Sequence, residues 1–353
     1  MKILILAGDD IGPEIMVPTL AALKRLNNKF GLDLEFEEKA IGVKALTEEG
    51  STLPDHVLDS AVAADGVVLG PIGTFKYPPK EEGGINISAA LRMSLDLYAN
   101  IRPSRTRPGV ASLAKDMDLV IVRENTEGFY ADRTMFAGTG EFMPTEDLAM
   151  SMRKITREGS RRIAVSAFEL ARTRRKKVTI VHKANVLKVT DGLFLSVARE
   201  VGDNYPDVEV EDVIVDAMAA LLIRKPDAYD VIVTTNMFGD ILSDEAAELS
   251  GGLGLGGSIN AGADRAIAQA AHGSAPDIAG QGIANPSALM SSTAMLMGWL
   301  AQKNGSNALA EASELFIKAV DGALANPATQ TPDLGGCCST SAFGDAVISQ
   351  IEN

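Results

Sequence analysis

The sequence predicts an α/β fold with a largely parallel sheet, and three observations predict it. Short β-rich runs alternate with segments of helical period along most of the 353 residues. Several of these runs are apolar throughout, as strands covered on both faces are. At roughly 150 residues per domain, the length predicts two domains and a core that needs no disulfide or structural metal.

The chain opens on a buried strand over 2–7, after which Pro13 and Glu14 start a helix. Further strands are expected over 34–38, 66–70, 119–123, 178–181, 208–215 and 230–234. The clearest helix covers 160–174, where Ile163, Ala164, Ala167, Phe168, Leu170 and Ala171 follow the helical period. Asn285 reads as an N-cap and Pro286 as the first helical position, opening a helix to about 302. Two more helices fit 307–325 and 342–351. Residues 135–144 (MFAGTGEFMP) are apolar and glycine-rich without helical period, and fit a hairpin arm. Residues 251–258 (GGLGLGGS) fit a flexible or close-packed turn. The basic cluster Arg172, Arg174, Arg175, Lys176 and Lys177 reads as a helix C-terminus complementing its dipole.

Composition excludes several functions. Asp and Glu number 47 against 33 Lys and Arg, and the resulting net charge of −14 disfavours nucleic acid and anionic membranes. No apolar run approaches the roughly 20 residues of a membrane span. The apolar stretch at the N-terminus is too short for a signal-peptide core. The two cysteines, Cys337 and Cys338, are adjacent and lack metal-binding spacing, so a reducing cytoplasm fits. With three histidines only (His56, His182, His272), acid–base chemistry falls to Lys, Tyr and carboxylates.

Candidate chemistry gathers in a few segments. The first loop, GDDIGPE, lacks GxGxxG, so the usual dinucleotide fingerprint is missing. Arg92 and Arg102 bracket a helix-to-strand transition, and Arg123 ends an apolar strand where open α/β sheets bind ligands. Three guanidinium forks suit a di- or tricarboxylate, although each arginine alone also fits a surface ion pair. Asp240 and Asp244 share a helix face if Asp240 opens that helix. Asp216 interrupts an apolar run and needs a partner. Three carboxylates without His or Cys suit Mg²⁺ or Mn²⁺, while a helix cap and a salt bridge account for them equally. Lys183 could serve as a base and Tyr130 could supply a proton. The loop HGSAPDIAGQGIANP, of small residues before a helix, suits a nucleotide.

Together these segments resemble the isocitrate/3-isopropylmalate dehydrogenase family of decarboxylating β-hydroxyacid dehydrogenases. The match runs in order along nearly the whole chain: GDxIGPE, LRxxLDLYANIRP, VRENTEG-Y, HKANVLK, VDAMA, TNMFGDILSDEAAELSGGLG, HGSAPDIAGQGIANP and TPDLGG. The resemblance implies two nested α/β domains rather than a Rossmann fold. Residues 1–98 and 250–353 would form the cofactor domain. Residues 99–249 would form the inserted substrate, metal and dimerisation domain, with an arm near 133–146. Active sites would be shared across a homodimer, Lys183 and Asp216 coming from the other subunit.

The same resemblance assigns roles. Asp216, Asp240 and Asp244 would hold Mg²⁺ or Mn²⁺ against the substrate's C2 hydroxyl and carboxylate. Lys183 would take the hydroxyl proton as hydride passes to the nicotinamide, and Tyr130 would protonate the carbon that loses CO₂. Arg92, Arg102 and Arg123 would bind carboxylates, with Asn86, Ser88 and Asn185 also at the substrate. Ile11, Gly73, His272, Gly273, Ser274, Ala275, Asp277, Ile278, Asn285 and Asp333 would line the cofactor site. Asp277 stands where NAD-using relatives carry an acid for the ribose hydroxyls, and NADP-using relatives carry Lys-Tyr; NAD is expected. Asp10, the run Ala268-Gln269-Ala270-Ala271, Ser341 and Gly344 depart from the family pattern and suggest a distinct subgroup.

Substrate choice turns on residues 86–92. Isopropylmalate enzymes place apolar residues before the first arginine and isocitrate enzymes place Ser-x-Asn; this chain has Asn86-x-Ser88. Polar groups that need satisfying favour an isocitrate- or homoisocitrate-like acid. Isopropylmalate, tartrate and malate are the alternatives, with a related enzyme of phosphorylated alcohols. A non-catalytic regulatory subunit is the alternative of another class, opposed by the presence of Tyr130, Lys183 and the three aspartates.

Overall fold

The computed structural model describes residues 1–130 and 140–352. The first block runs β1 (Lys2–Leu6), α1 (Gly12–Phe30), β2 (Glu35–Lys39), α2 (Gly42–Glu49), α3 (Asp55–Ala63), β3 (Gly66–Leu69) and α4 (Ile87–Ser94). Next come β4 (Ala99–Arg105), β5 (Asp118–Glu124), β6 (Glu141–Thr145) and β7 (Leu148–Ser151). The chain continues through α5 (Arg157–Arg172), β8 (Lys177–His182), α6 (Thr190–Gly202), β9 (Glu209–Ile214), α7 (Val215–Arg224), β10 (Val231–Thr234) and α8 (Asn236–Ser250). It ends with β11 (Ile259–Ala261), β12 (Ala266–Gln269), α9 (Ser287–Asn304), α10 (Asn307–Ala325) and α11 (Thr340–Glu352).

Ten strands form one sheet in the order β2-β1-β3-β12-β11-β4-β5-β10-β8-β9. The strands of 1–98 and 250–352 make up one flank, with β11 at its inner edge, and those of 99–249 make up the other. Each flank is parallel except at the centre, where β12–β11, β11–β4 and β4–β5 pair antiparallel. The sheet is therefore α/β and mostly parallel, as the alternation predicts. β3 and β10 are buried at every residue, the signature of strands covered on both faces. In α5, Ile163, Ala164, Ala167, Phe168 and Ala171 all face the core, and the Thr156 side chain accepts from the Gly159 amide as its cap.

Several sequence expectations shift. The strand expected over 208–215 ends at Ile214, and Val215 begins α7. The helix after Asn285 starts at Ser287, with Pro286 already in helical geometry (φ −86°, ψ −3°). Asn285 Oδ1 still accepts from the Ser287 amide at 3.0 Å, one position ahead of the expected cap. Part of the expected arm, residues 133–139, lies outside the described residues. Beyond it β6 and β7 form a hairpin exposed at every residue, with apolar Phe142, Met143, Leu148 and Met150 at the surface. The basic cluster is neutralised locally, Arg172 and Lys176 by Asp207, Arg174 and Arg175 by Asp230, and Lys177 by Glu209 and Glu211.

Candidate active site

Residues paired across strands, and residues two apart along one, point to the same face of a sheet. Asn100 pairs in register with Arg123 and with Asn260, and Arg102 lies two beyond it. Gln269 lies two beyond Ile267, the partner of Asn260. One face of the sheet centre thus carries Asn100, Arg102, Arg123, Asn260 and Gln269. Helix α8 packs there against β4 and β5. Gly239 permits the approach, since a Cβ at that position would stand 2.6 Å from the Arg123 Cβ.

Both arginines are buried, Arg102 at 8% and Arg123 at 3% exposure, so they are not surface ion pairs. Arg102 donates to Asn100 Oδ1 at 2.7 Å, Ser243 Oγ at 2.8 Å and Asp244 Oδ1 at 3.1 Å, and lies 3.4 Å from Asp240 Oδ1. Arg123 donates to Asn236 Oδ1 at 2.9 and 2.7 Å and pairs with Asp240. The Tyr130 hydroxyl is 3.5 Å from Asp240 Oδ2, with the Arg123 guanidinium 6.0 Å from its ring centre. Helix α8 opens at Asn236, four residues before Asp240, so Asp240 is not a cap. The two aspartates nevertheless meet the same arginine. Burial, with Asp240 alongside, raises the Asp244 carboxyl above its usual range despite Arg102 and Arg123.

Lys183 follows the end of β8 and pairs with Asp216. Asp216 stands in the first turn of α7 with its side chain 61% exposed, not within an apolar strand as its sequence context suggests. The Lys183 hydrogen bond holds the Asp216 carboxyl below the ordinary range. The Lys183 backbone amide donates to buried Asp191 at 2.6 Å, and Asp191 is locked by Arg153. Within one chain, the aspartates of α8 contact Arg102, Arg123 and Tyr130, while Lys183 and Asp216 contact each other. Asn185 is exposed on the turn after Lys183.

Two cavities meet at His272 and Gly273. The smaller, about 210 Å³, is lined by Asn86, Ser88, Arg92, Arg102, Ser258 and Gln269 among others. Asn86 also caps α4, its Oδ1 accepting from the Ala89 amide at 3.0 Å, which leaves its NH₂ to donate elsewhere. The larger, about 630 Å³, is lined by Ile11, His272, Gly273, Ala275, Ile278, Asn285 and Asp333, with Ile283, Ala284 and Pro332. Its loops are tied by hydrogen bonds from backbone amides: the Ile11 amide donates to the Ser274 carbonyl at 3.2 Å, and the Gly73 amide to the Asp9 carboxylate Oδ2 at 2.9 Å. Asp277 is exposed and does not line this cavity, although Ala275 and Ile278 do.

The residues present can be tested against a dinucleotide and a divalent cation. The large cavity is walled mostly by apolar side chains, and His272, which lines it, has a buried Nε2 without a partner among the described residues. Nδ1 lies 2.9 Å from the Gly273 carbonyl, to which the neutral ring donates, and this leaves Nε2 to accept; burial lowers the His272 pKa and favours that neutral ring. That fits a nucleotide base. Asp240 and Asp244 are hard oxygen donors one turn apart, suited to Mg²⁺ or Mn²⁺. Among the described residues no cluster of three His, Cys, Asp or Glu side chains is placed to hold a metal ion.

Sequence reasoning missed three supports. Asn236 and Ser243 hold Arg123 and Arg102, and both stand in the quoted TNMFGDILSDEAAELSGGLG segment. Glu14 accepts from the Gly280 and Ala284 amides at 3.1 Å and from the Thr340 hydroxyl at 2.8 Å, fastening the cofactor-side loop to α1. Its position, 260 residues from that loop or more, gave no local signal.

Comparison with known proteins bears on the whole chain. A profile described as isocitrate/isopropylmalate dehydrogenase matches residues 2–347. A homoisocitrate dehydrogenase of Methanocaldococcus jannaschii is 41% identical, over 99% of this chain and 98% of its own. A 3-isopropylmalate dehydrogenase of Archaeoglobus fulgidus is 40% identical, over 99% of each. The crystal structure of an isocitrate dehydrogenase from Methylococcus capsulatus superposes with a TM-score of 0.88 at 40% identity, covering 100% of this chain and 99% of that one.

Proposed function

The chain belongs to the isocitrate/isopropylmalate dehydrogenase family of decarboxylating dehydrogenases, and we propose that it acts on a malate-type acid with a further carboxylate. Isocitrate and homoisocitrate are acids of this kind. Relatives named for homoisocitrate and for isopropylmalate differ by one percentage point of identity, so overall similarity does not choose between them. The observation that carries the reading is the lining of the small cavity: beside Arg92 and Arg102 stand Asn86 and Ser88, whose polar atoms an isopropyl group would leave unsatisfied.

In this reading Arg92, Arg102 and Arg123 bind the substrate carboxylates and orient C2, with Asn86 and Ser88 at the third carboxylate and Asn185 beside the nicotinamide. Lys183 accepts the C2 hydroxyl proton. Tyr130 donates a proton to the carbon from which CO₂ departs, its hydroxyl already directed at Asp240. The walls of the large cavity, with Gly73, Ser274 and Asp277 at its edge, would hold NAD, which would supply the hydride acceptor. Asp240 and Asp244, with Asp216 of the partner subunit, would hold Mg²⁺ or Mn²⁺, which would supply Lewis-acid chemistry at the substrate.

A homodimer with shared sites is part of the proposal. Val186 and Val189 beside Lys183, and Ile241 beside Asp240, are exposed apolar side chains, and the hairpin exposes four more. Such surface suits a second copy. The two flanks of the sheet then act as nested domains, 1–98 with 250–353 for the cofactor and 99–249 for substrate, metal and dimerisation. No helix among the described residues is long and apolar enough to cross a membrane, and a cytoplasmic enzyme is proposed. Purified protein supplied with NAD, Mn²⁺ and isocitrate or homoisocitrate should form NADH, and chelation of the metal should stop it. Absence of turnover with every 2-hydroxy acid offered would return the reading to a non-catalytic subunit.

A further inference from the structure

We infer that a relay of amides, Asn100 to Asn260 to Gln269, fixes the Ser88 hydroxyl as a donor into the substrate cleft, making Gln269 a positioning residue for a substrate carboxylate. The inference rests on the proposed substrate class and deepens it. An arginine has donors and no acceptor. Arg102 Nε donates to Asn100 Oδ1 at 2.7 Å, which leaves the Asn100 NH₂ facing onward. That NH₂ donates to Asn260 Oδ1 at 3.0 Å, and the Asn260 NH₂ donates to Gln269 Oε1 at 3.3 Å. The Gln269 NH₂ then donates to Ser88 Oγ at 3.1 Å.

Direction is fixed a second time at Asn260. The Asn125 NH₂ donates at 3.0 Å to the same Oδ1, so a flipped Asn260 would set its own NH₂ against two others. Asn100, Asn125 and Asn260 are each 2% exposed or less, which leaves little room for solvent to reverse the chain. The relay ends on an oxygen that already accepts. The Ser88 hydroxyl hydrogen has no acceptor among the described residues, and Ser88 lines the cleft with Asn86, Arg92 and Arg102. A carboxylate oxygen is the complement of that set.

Gln269→Glu tests this at constant size. A glutamate still accepts from Asn260 but draws the Ser88 hydrogen inward. The KM for the preferred tricarboxylate should rise ~10- to 100-fold, the span of one hydrogen bond to a charged group. That rise should exceed the change in KM for D-malate, which has no third carboxylate, at least tenfold. In a Ser88→Ala background the same change should add little. Gln269→Met, which removes both bonds, should move KM in the same direction if the glutamate variant does not fold. Equal effects on both substrates, or an undiminished effect without the serine, would overturn the relay. A wild-type preference for 3-isopropylmalate would instead overturn the substrate class beneath it.

Discussion

The two cavities that meet at His272 are built in opposite ways. The large one is assembled from loops: its walls are Ile11, Ala275, Ile278, Ile283 and Pro332, and main-chain bonds with Glu14 hold them in place. The small one shares loop residues with it but takes its principal charged and amide groups from regular elements, Arg102 from β4, Gln269 from β12 and Ser88 and Arg92 from α4, with Arg102 buried among Asn100, Ser243, Asp240 and Asp244. Apolar loop walls bind by area and adapt to small losses. Buried charges bind by geometry, and removing one strands its partners. Substitutions should therefore be graded by the side of His272 on which they fall.

The sharpest break is Lys183→Met. It should lower kcat by about 10²- to 10⁴-fold, the usual contribution of a general base. NAD affinity measured by calorimetry should stay within about twofold, and retained turnover would reject Lys183 as the base. Next comes a matched pair. Arg102→Lys keeps the charge but loses the fork, and should cost on the order of 100-fold in kcat/KM for the acid. Ile278→Ala, on the loop side, should raise the KM for NAD only about fivefold, given roughly 1 kcal/mol for a part-buried side chain. Steady-state kinetics on both variants compare the two architectures directly; equal losses would erase the distinction.

Cofactor choice should show a smaller effect. Asp277 is exposed, so its repulsion of a 2′-phosphate acts in water, about 1 kcal/mol at 4 Å. NAD should exceed NADP in kcat/KM, and Asp277→Asn should narrow that preference about fivefold; equal efficiency with the two cofactors would remove Asp277 from the argument. The smallest effect concerns acid. Burial alone would raise the Glu14 pKa, but the Thr340 hydroxyl and the Ala284, Gly282 and Gly280 amides outweigh it and hold the carboxyl below the ordinary glutamate range. A depressed pKa gives stability that is complete above the unfolded value and is lost as pH falls through the folded one. Thermal melts of Glu14→Gln and the parent should thus differ near neutrality and converge below about pH 4; a constant gap would deny Glu14 the linkage.

How much of this was legible varies with the same contrast. Continuous apolar runs announced β1, β3 and β10, and the helix expected over 307–325 is α10. β11 and β12 were invisible because they are three and four residues long and mostly small. β4 carries two arginines and a proline, which disguise a central antiparallel strand. The site arginines and aspartates stood out by charge. The amides behind them did not: Asn100, Asn260 and Gln269 acquire meaning only when three strands bring them side by side. A polar residue inside a short strand was the available signal.

The central claim is that the small cavity's donors select an acid with a third carboxylate. Comparing kcat/KM for isocitrate, homoisocitrate and 3-isopropylmalate, read by NADH absorbance with saturating NAD and Mn²⁺, tests it most directly. A tricarboxylate should lead 3-isopropylmalate by about tenfold or more, as one charge-assisted hydrogen bond implies. A clear lead for 3-isopropylmalate would contradict the account.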